Sequence, residues 1–404
     1  MNLSLLQVKG RDIVNEAGQN IYLRGVNLGG WLMMEGYILH GRNIPEHLFK
    51  KEFSRIHGNK ELYNFQKLYR QNFITFQDIQ KIKSMGATCV RVPFNWRLIA
   101  EDKEWTFLDK VIAWCKQENI YCILDLHAAP GAQNKDWHSD SNGEALFWEN
   151  PRCRQEYVSI WRQIAGRYRQ EKVIAGYDIL NEPVTGNPHQ VLALYRQTTK
   201  AIREADPAHI LFIEGNRWGQ ELEFLGRPWD KNLVYSIHVY LPLSFTFNFQ
   251  PHLQYPGFIE GKYWNKKQLH SYIAPYYDFS KQWQVPVYAG EFGINFRSPR
   301  DYGELRYLKD VLDCFDNFGF HWSYWTYKAI AGEVQPDGIY QYLLNPPWVR
   351  REGPVFGWEN FAHLWETQKS KIAASWKTEE FIQNKYIAQL LSKYCNNTSE
   401  NNQE

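Results

Sequence analysis

Eight short apolar, often β-branched runs, separated by stretches of helical length, constrain this 404-residue chain more than anything else in its sequence. They read as strands at residues 22–27, 89–94, 121–127, 174–180, 210–214, 234–239, 287–291 and 322–326. Helical patterning falls between and after them, at 76–85, 108–117, 154–168, 190–205, 305–318 and 379–394. Repeated βα units of this kind predict an α/β protein built as a single (β/α)8 TIM barrel. Ahead of the first strand, residues 6–10 and 13–19 alternate apolar and polar positions around Gly and Asn, so an N-terminal β-hairpin is expected to cap one end. No proline- or serine-rich linker interrupts the series, and residues 1–395 are expected to form one domain followed by a polar tail, 396–404.

Three connections, 29–70, 241–265 and 330–377, are long and rich in aromatics. In a parallel barrel the βα loops share the C-terminal face, which makes Tyr255, Trp264, Trp348 and Trp358 candidates for the walls of a ligand cleft. For any one of them, packing beneath a long loop is the more ordinary explanation. The aromatic fraction of 16% suits such a cleft, because the C–H face of a sugar ring stacks on aromatic rings.

Charge excludes other classes. With 46 Lys and Arg against 44 Asp and Glu, and no basic cluster, nucleic acid is not an expected partner. No window approaches the length of a membrane span, and residues 1–10 lack a signal-peptide pattern, so a cytoplasmic location without integral membrane association is the expectation. Cys89, Cys115, Cys122, Cys153, Cys314 and Cys395 form no CxxC pair and read as reduced structural thiols. The histidines lack metal-site spacing, and neither metal nor cofactor is expected.

Polar residues gather where the strands end: Arg91, His127, Asn181-Glu182-Pro183, His238 with Tyr240, Glu291 and Trp325. A strand covered on both faces avoids charge, so carboxylates after residues 177–180 and inside 287–293 are costly unless they serve a site. Glu182 and Glu291, from the fourth and seventh strands, can face each other across the barrel mouth, the arrangement glycoside hydrolysis needs. A separation of about 5–5.5 Å makes one of them a nucleophile, whereas about 6.5–9.5 Å leaves room for an attacking water. Glu214 and Asp125, two further carboxylates of the strands, read as local ion-pair partners.

Taken in order along the strand ends, this set resembles glycoside hydrolase family 5. Residues 23–31 (LRGVNLGGW) and 127–134 (HAAPGAQN) are closer to its exo-β-1,3-glucanase and β-glucosidase branch than to its endo-cellulases. The resemblance implies a retaining hydrolase of β-glucosides or β-glucan oligosaccharides. In that reading Glu182 is the acid/base, with a pKa raised while Glu291 is charged, and Glu291 is the nucleophile. Arg91 and Tyr240 orient Glu291, and His238 tunes the proton of Glu182. Asn181 binds the sugar 2-hydroxyl, His127 the 3-hydroxyl side, and Trp325 forms the platform beneath the ring. Glu35 grips the hydroxyls of a non-reducing end and makes the enzyme exo-acting. After Asn134 the chain departs from the branch, with Lys-Asp-Trp137-His138-Ser-Asp in place of Gly-Phe-Asp. Trp137 is then expected to replace a stacking aromatic and His138 a polar contact to the sugar. A glycolipid-directed hydrolase, an endo-β-glucanase and a silent carbohydrate-binding barrel are the competing readings.

Overall fold

The computed structural model describes residues 3–39, 41–296, 302–329, 334–341 and 358–397. Its first strands, β1 (Gln7–Lys9) and β2 (Asp12–Val14), pair antiparallel as the expected hairpin. The next six are β3 (Arg24–Asn27), β4 (Cys89–Asn95), β5 (Tyr121–Ala128), β6 (Ile174–Asp178), β7 (Ile210–Glu214) and β8 (Leu233–Val239). After the short hairpin β9 (Gly257–Ile259) and β10 (Lys262–Trp264) come β11 (Val287–Phe292) and β12 (His321–Tyr324). Strands β3 to β8, β11 and β12 pair in parallel with their sequence neighbours, and β12 returns to β3 to close the barrel. All eight are buried along their whole length, as strands lined by side chains within and helices without must be.

The hairpin seals the N-terminal mouth. Leu6 and Ile13 join Leu23, Ile123, Phe212, Val234 and Tyr288 in a compact apolar plug, which leaves the opposite mouth open for chemistry. There β6 ends at Asp178, earlier than the sequence pattern suggests, and Glu182 beyond it takes φ +46° and lines the mouth.

The long connections differ from expectation. Residues 29–70 hold most of a helix, Glu46–Phe73, broken at Gly58 (φ +80°), and the described part of 330–377 holds another, Phe361–Ser375. The two pack together through Phe53, Phe65 and Tyr69 on one side and Trp365 and Trp376 on the other. Trp358 stacks on Phe49 within this layer and is fully buried, so it is not a cleft wall. Tyr255 and Trp264 are likewise buried, Tyr255 donating to Asp310 at 2.8 Å, while Trp348 lies outside the described residues.

Lys328 clasps this layer to the barrel. Its ammonium donates to the carbonyl of Phe73, to that of Trp376 at 2.8 Å and to Thr378 Oγ1 at 2.9 Å, so it serves the C-terminal ends of both helices. Burial pulls its pKa down to about 8. The folded chain therefore binds this proton less tightly than the unfolded chain, and the penalty, present in full below about pH 8, is relieved as pH rises toward the ordinary lysine value. The stability difference between wild type and Lys328→Met is expected to shift in favour of wild type by roughly 3 kcal/mol across that window. Parallel urea curves at pH 7.5 and 10 check this; a difference independent of pH contradicts it.

Candidate active site

At the open mouth, Glu35, Tyr37, His127, Trp137, His138, Glu182, Tyr240, Glu291 and Trp325 line one cavity. Eight of the eleven residues singled out in the sequence are thus in its wall. Of the other three, Arg91 and His238 bond the wall residues Glu291 and Glu182, and Asn181 accepts from Arg91.

Arg91, on β4, organises the floor. Its guanidinium donates to Glu291 Oε1 (2.9 Å), Asp178 Oδ2 (2.8 Å), Glu214 Oε1 (3.0 Å), Asn27 Oδ1 (3.1 Å) and Asn181 Oδ1 (2.8 Å), and lies 3.1 Å from Asp125 Oδ2. Four carboxylates from four strands thus share one buried cation, which fixes Glu291 at the height of the mouth. So many acids around one positive charge cannot all ionise freely. Burial pushes the Asp125 carboxyl up to about 8 against the pull of Arg91, and burial likewise raises Asp178 far above the carboxylate range. Glu214 and Asp125, read from sequence as local partners, belong to this network. Glu214 Oε2 also accepts from the backbone N–H of Glu182 at 2.7 Å, and Asp125 Oδ2 holds His127 Nδ1 at 2.8 Å.

The second oxygen of Glu291 accepts from the Tyr240 hydroxyl at 2.9 Å. Burial and the Glu291 charge raise the Tyr240 phenol far above its usual pKa, so it stays a donor. Across the cavity, Glu182 Oε1 is 2.7 Å from His238 Nδ1 and Oε2 is 2.8 Å from His138 Nε2. One carboxylate oxygen of Glu182, one of Glu291 and a ring nitrogen of His238 all lie within 4.8 Å of one another.

One sequence expectation is corrected at Glu182. Burial alone would lift its carboxyl, but hydrogen bonds from His138 and His238 hold it well below the carboxylate range, not above it. His138, expected to touch the sugar, lines the same cavity and also holds Glu182 Oε2 at 2.8 Å. Burial opposes charging of His138, yet the bond to Glu182 and the charges of Glu182, Asp136 and Glu35 push it up to about 9. His238 is raised too: burial opposes its charge, and Glu214 and Glu291 favour it more strongly.

His127 is kept neutral, its pKa pulled down to about 3 chiefly by burial, and its ring stacks 5.3 Å from that of Trp325. Glu35 Oε1 is buried without a hydrogen-bond partner among the described residues, 4.0 Å from His127 Nε2, and burial raises its pKa well above the usual value. Asn181 Nδ2 is also buried and has no hydrogen-bond partner among the described residues. Trp137 packs edge-on against Tyr37. Sequence reasoning missed Tyr37, which accepts from the Trp325 indole N–H, and the outer wall of Trp218, Leu243, Phe247 and Phe249. Only their position in C-terminal loops marked the latter.

Among the described residues, Glu182, His238 and Glu291 are the one cluster of acids and histidines this dense. All four carboxylate oxygens already face an N–H or O–H group, an arrangement suited to moving protons. No helix among these residues is long and apolar enough to cross a membrane.

The profile of the family Cellulase (glycosyl hydrolase family 5) matches residues 51–330. The chain belongs to glycoside hydrolase family 5. This family 5 hydrolase is 32% identical over 354 residues to a β-xylosidase of Phanerodontia chrysosporium, covering 81% of the chain and 72% of that protein. It is 27% identical to endoglucanase C of Acetivibrio thermocellus, covering 80% and 96% of the two chains. With the probable glucan 1,3-β-glucosidase A of Aspergillus clavatus it shares 28% identity over 52% of its own length and 53% of the other's. A family 5 hydrolase acts on glycosidic bonds, and an oligosaccharide is its class of substrate.

Proposed function

We propose that the chain is a retaining, exo-acting β-glycosidase of β-glucosides or short β-glucan oligosaccharides, with Glu182 as acid/base and Glu291 as nucleophile. The observation that carries the reading is the approach of the two carboxylates to within 4.8 Å in one cavity. So close an approach falls short of the about 6.5–9.5 Å between carboxyl groups that water attack across the sugar needs, and supports direct attack on the anomeric carbon. Glu291, steadied by Arg91 and Tyr240, attacks the anomeric carbon as Glu182 gives a proton to the leaving oxygen. Glu182 then takes a proton from the water that breaks the glycosyl-enzyme bond.

The unpaired amide of Asn181 is available to the 2-hydroxyl, where a hydrogen bond strengthens as the transition state develops. Trp325 underlies the ring, and neutral His127 faces the neighbouring hydroxyls. Exo action is supported by Glu35, whose orphaned oxygen beside His127 is suited to the hydroxyls of a terminal sugar. Trp137 stacks on the leaving-group side. A second reading, an apolar aglycone such as that of a glycolipid, is favoured by exposed Trp218 and Phe249 in the outer wall.

A panel of β-1,3-, β-1,4- and β-1,6-linked glucose oligomers, an aryl β-xyloside, an aryl β-glucoside and a glucosylated lipid, with product sizes recorded, tests the reading. Release of single sugars from chain ends is expected. Internal cleavage to a ladder of oligomers contradicts exo action, and turnover of none contradicts the proposal.

A further inference from the structure

Both oxygens of Glu182 are held by histidines, and the proposed mechanism gives neither a part; His238 comes from the barrel wall. His138 comes from a separate element, a single helical turn, Trp137–Ser139, in the loop after β5. That loop is held by a set of side-chain hydrogen bonds. Asn134 donates through Nδ2 to the backbone carbonyl of Glu182 at 3.0 Å and accepts through Oδ1 from the N–H of Asp136 at 2.9 Å. Ser139 Oγ donates to the carbonyl of Asn134 at 3.0 Å, and Gln133 Nε2 donates to the carbonyls of His127 and Asn181 at 2.7 and 2.8 Å. The imidazole is therefore presented to Glu182 by a fixed frame.

The surroundings of His138 Nε2 suit either protonation state. With a proton, Nε2 donates to Glu182 Oε2 at 2.8 Å. Without one, its lone pair can accept from Asn134 Nδ2 at 3.2 Å or from a protonated Glu182. The groups facing the pair are Glu35, Asp136 and Glu291, which favour a positive His138 or a protonated acid. His238 opposes the latter, and His127 is neutral.

From this geometry, and resting on the assignment of Glu182 as acid/base, we infer that His138 is a positioning residue that stores the proton delivered to the leaving group. The transferable proton belongs to a His138–Glu182 pair, which titrates as a unit. In the first half-reaction the N–H bond of His138 and the glycosidic C–O bond break. An O–H bond forms on the leaving group by way of Glu182, a C–O bond forms to Glu291, and His138 is left neutral. In the second, water gives one proton to Glu182, its oxygen bonds the anomeric carbon as Glu291 departs, and the proton returns to His138. This explains how an acid held well below the carboxylate range at rest can still supply a proton near neutral pH.

The test is His138→Gln, whose amide can still donate to Oε2 but cannot carry an ionisable proton. Its kcat/KM is compared with wild type and Glu182→Ala against pH, on an alkyl β-glucoside and on a 2,4-dinitrophenyl β-glucoside that leaves without protonation. The alkaline limb of His138→Gln is expected to move to lower pH by about one unit or more, with about a 10²-fold loss on the alkyl glucoside and little on the activated one. An unchanged limb, or equal loss on both substrates, overturns the inference. If His138→Gln does not fold, His138→Asn is read by the same two criteria. If wild type turns over neither glycoside, or Glu182→Ala shows no selective loss on the alkyl substrate, the acid/base assignment itself fails, a result distinct from an unaltered His138→Gln profile.

Discussion

Glu291→Ala is expected to lower kcat on an aryl β-glucoside by on the order of 10⁴–10⁶-fold, because no other group of the mouth can take its place in bonding the anomeric carbon. Arg91 and the Tyr240 hydroxyl would remain, aimed at the space the carboxylate leaves. A small anion that enters this space can attack from the same side. Added azide is therefore expected to restore part of the rate and to yield the glycosyl azide of opposite configuration. Undiminished turnover in Glu291→Ala, or rescue giving an azide of the same configuration as the substrate, contradicts the assignment.

Arg91→Ala carries the second large expected effect, on stability as well as activity. The change strands Asp125, Asp178, Glu214 and Glu291 around an empty centre, each already buried and each having relied on the same guanidinium. Removing one partner of a buried ion pair costs about 3–5 kcal/mol, and here one partner serves four. The sign of the pH dependence follows from the acids. Burial already places Asp125 at about 8 and Asp178 above the carboxylate range with Arg91 present, and without the cation these two hold protons to still higher pH. Lowering the pH protonates them and relieves the repulsion, so the loss in Arg91→Ala should be larger at pH 8 than at pH 5. Urea denaturation of both proteins at the two pH values measures it. A loss under about 1 kcal/mol, equal at both, would mean that the network does not depend on Arg91 in this way.

The barrel was legible because its strands are covered on both faces and read as short apolar runs, and because charge at the end of such a run is conspicuous. Glu182, Glu291, Arg91 and His238 stood out for that reason. The Glu46–Phe73 helix did not, since Gly58 splits its apolar positions into two short groups, Phe49 with Phe53 and Phe65 with Tyr69 and Phe73. Its aromatics therefore resembled those of an irregular loop. Trp358 was misplaced for a related reason: composition marks an aromatic-rich connection, whereas burial against Phe49 depends on a second helix some 300 residues away. The convergence of Asp125, Asp178 and Glu214 on Arg91 depends on barrel closure, which brings separate strands to one point. The meeting of His138 with Glu182 joins the ends of adjacent strands through a loop, and no periodicity encodes it. That contact also reversed the expected direction of the Glu182 pKa.

In the proposed mechanism the enzyme itself bonds the sugar through Glu291. Incubation with an activated 2-deoxy-2-fluoro β-glucoside slows both half-reactions and leaves the glycosyl-enzyme to be weighed and mapped. One fluoroglucosyl unit per chain, on the peptide that contains Glu291, is the predicted result. Slow turnover with no adduct and release of the inverted anomer first, or an adduct on another residue, would contradict it.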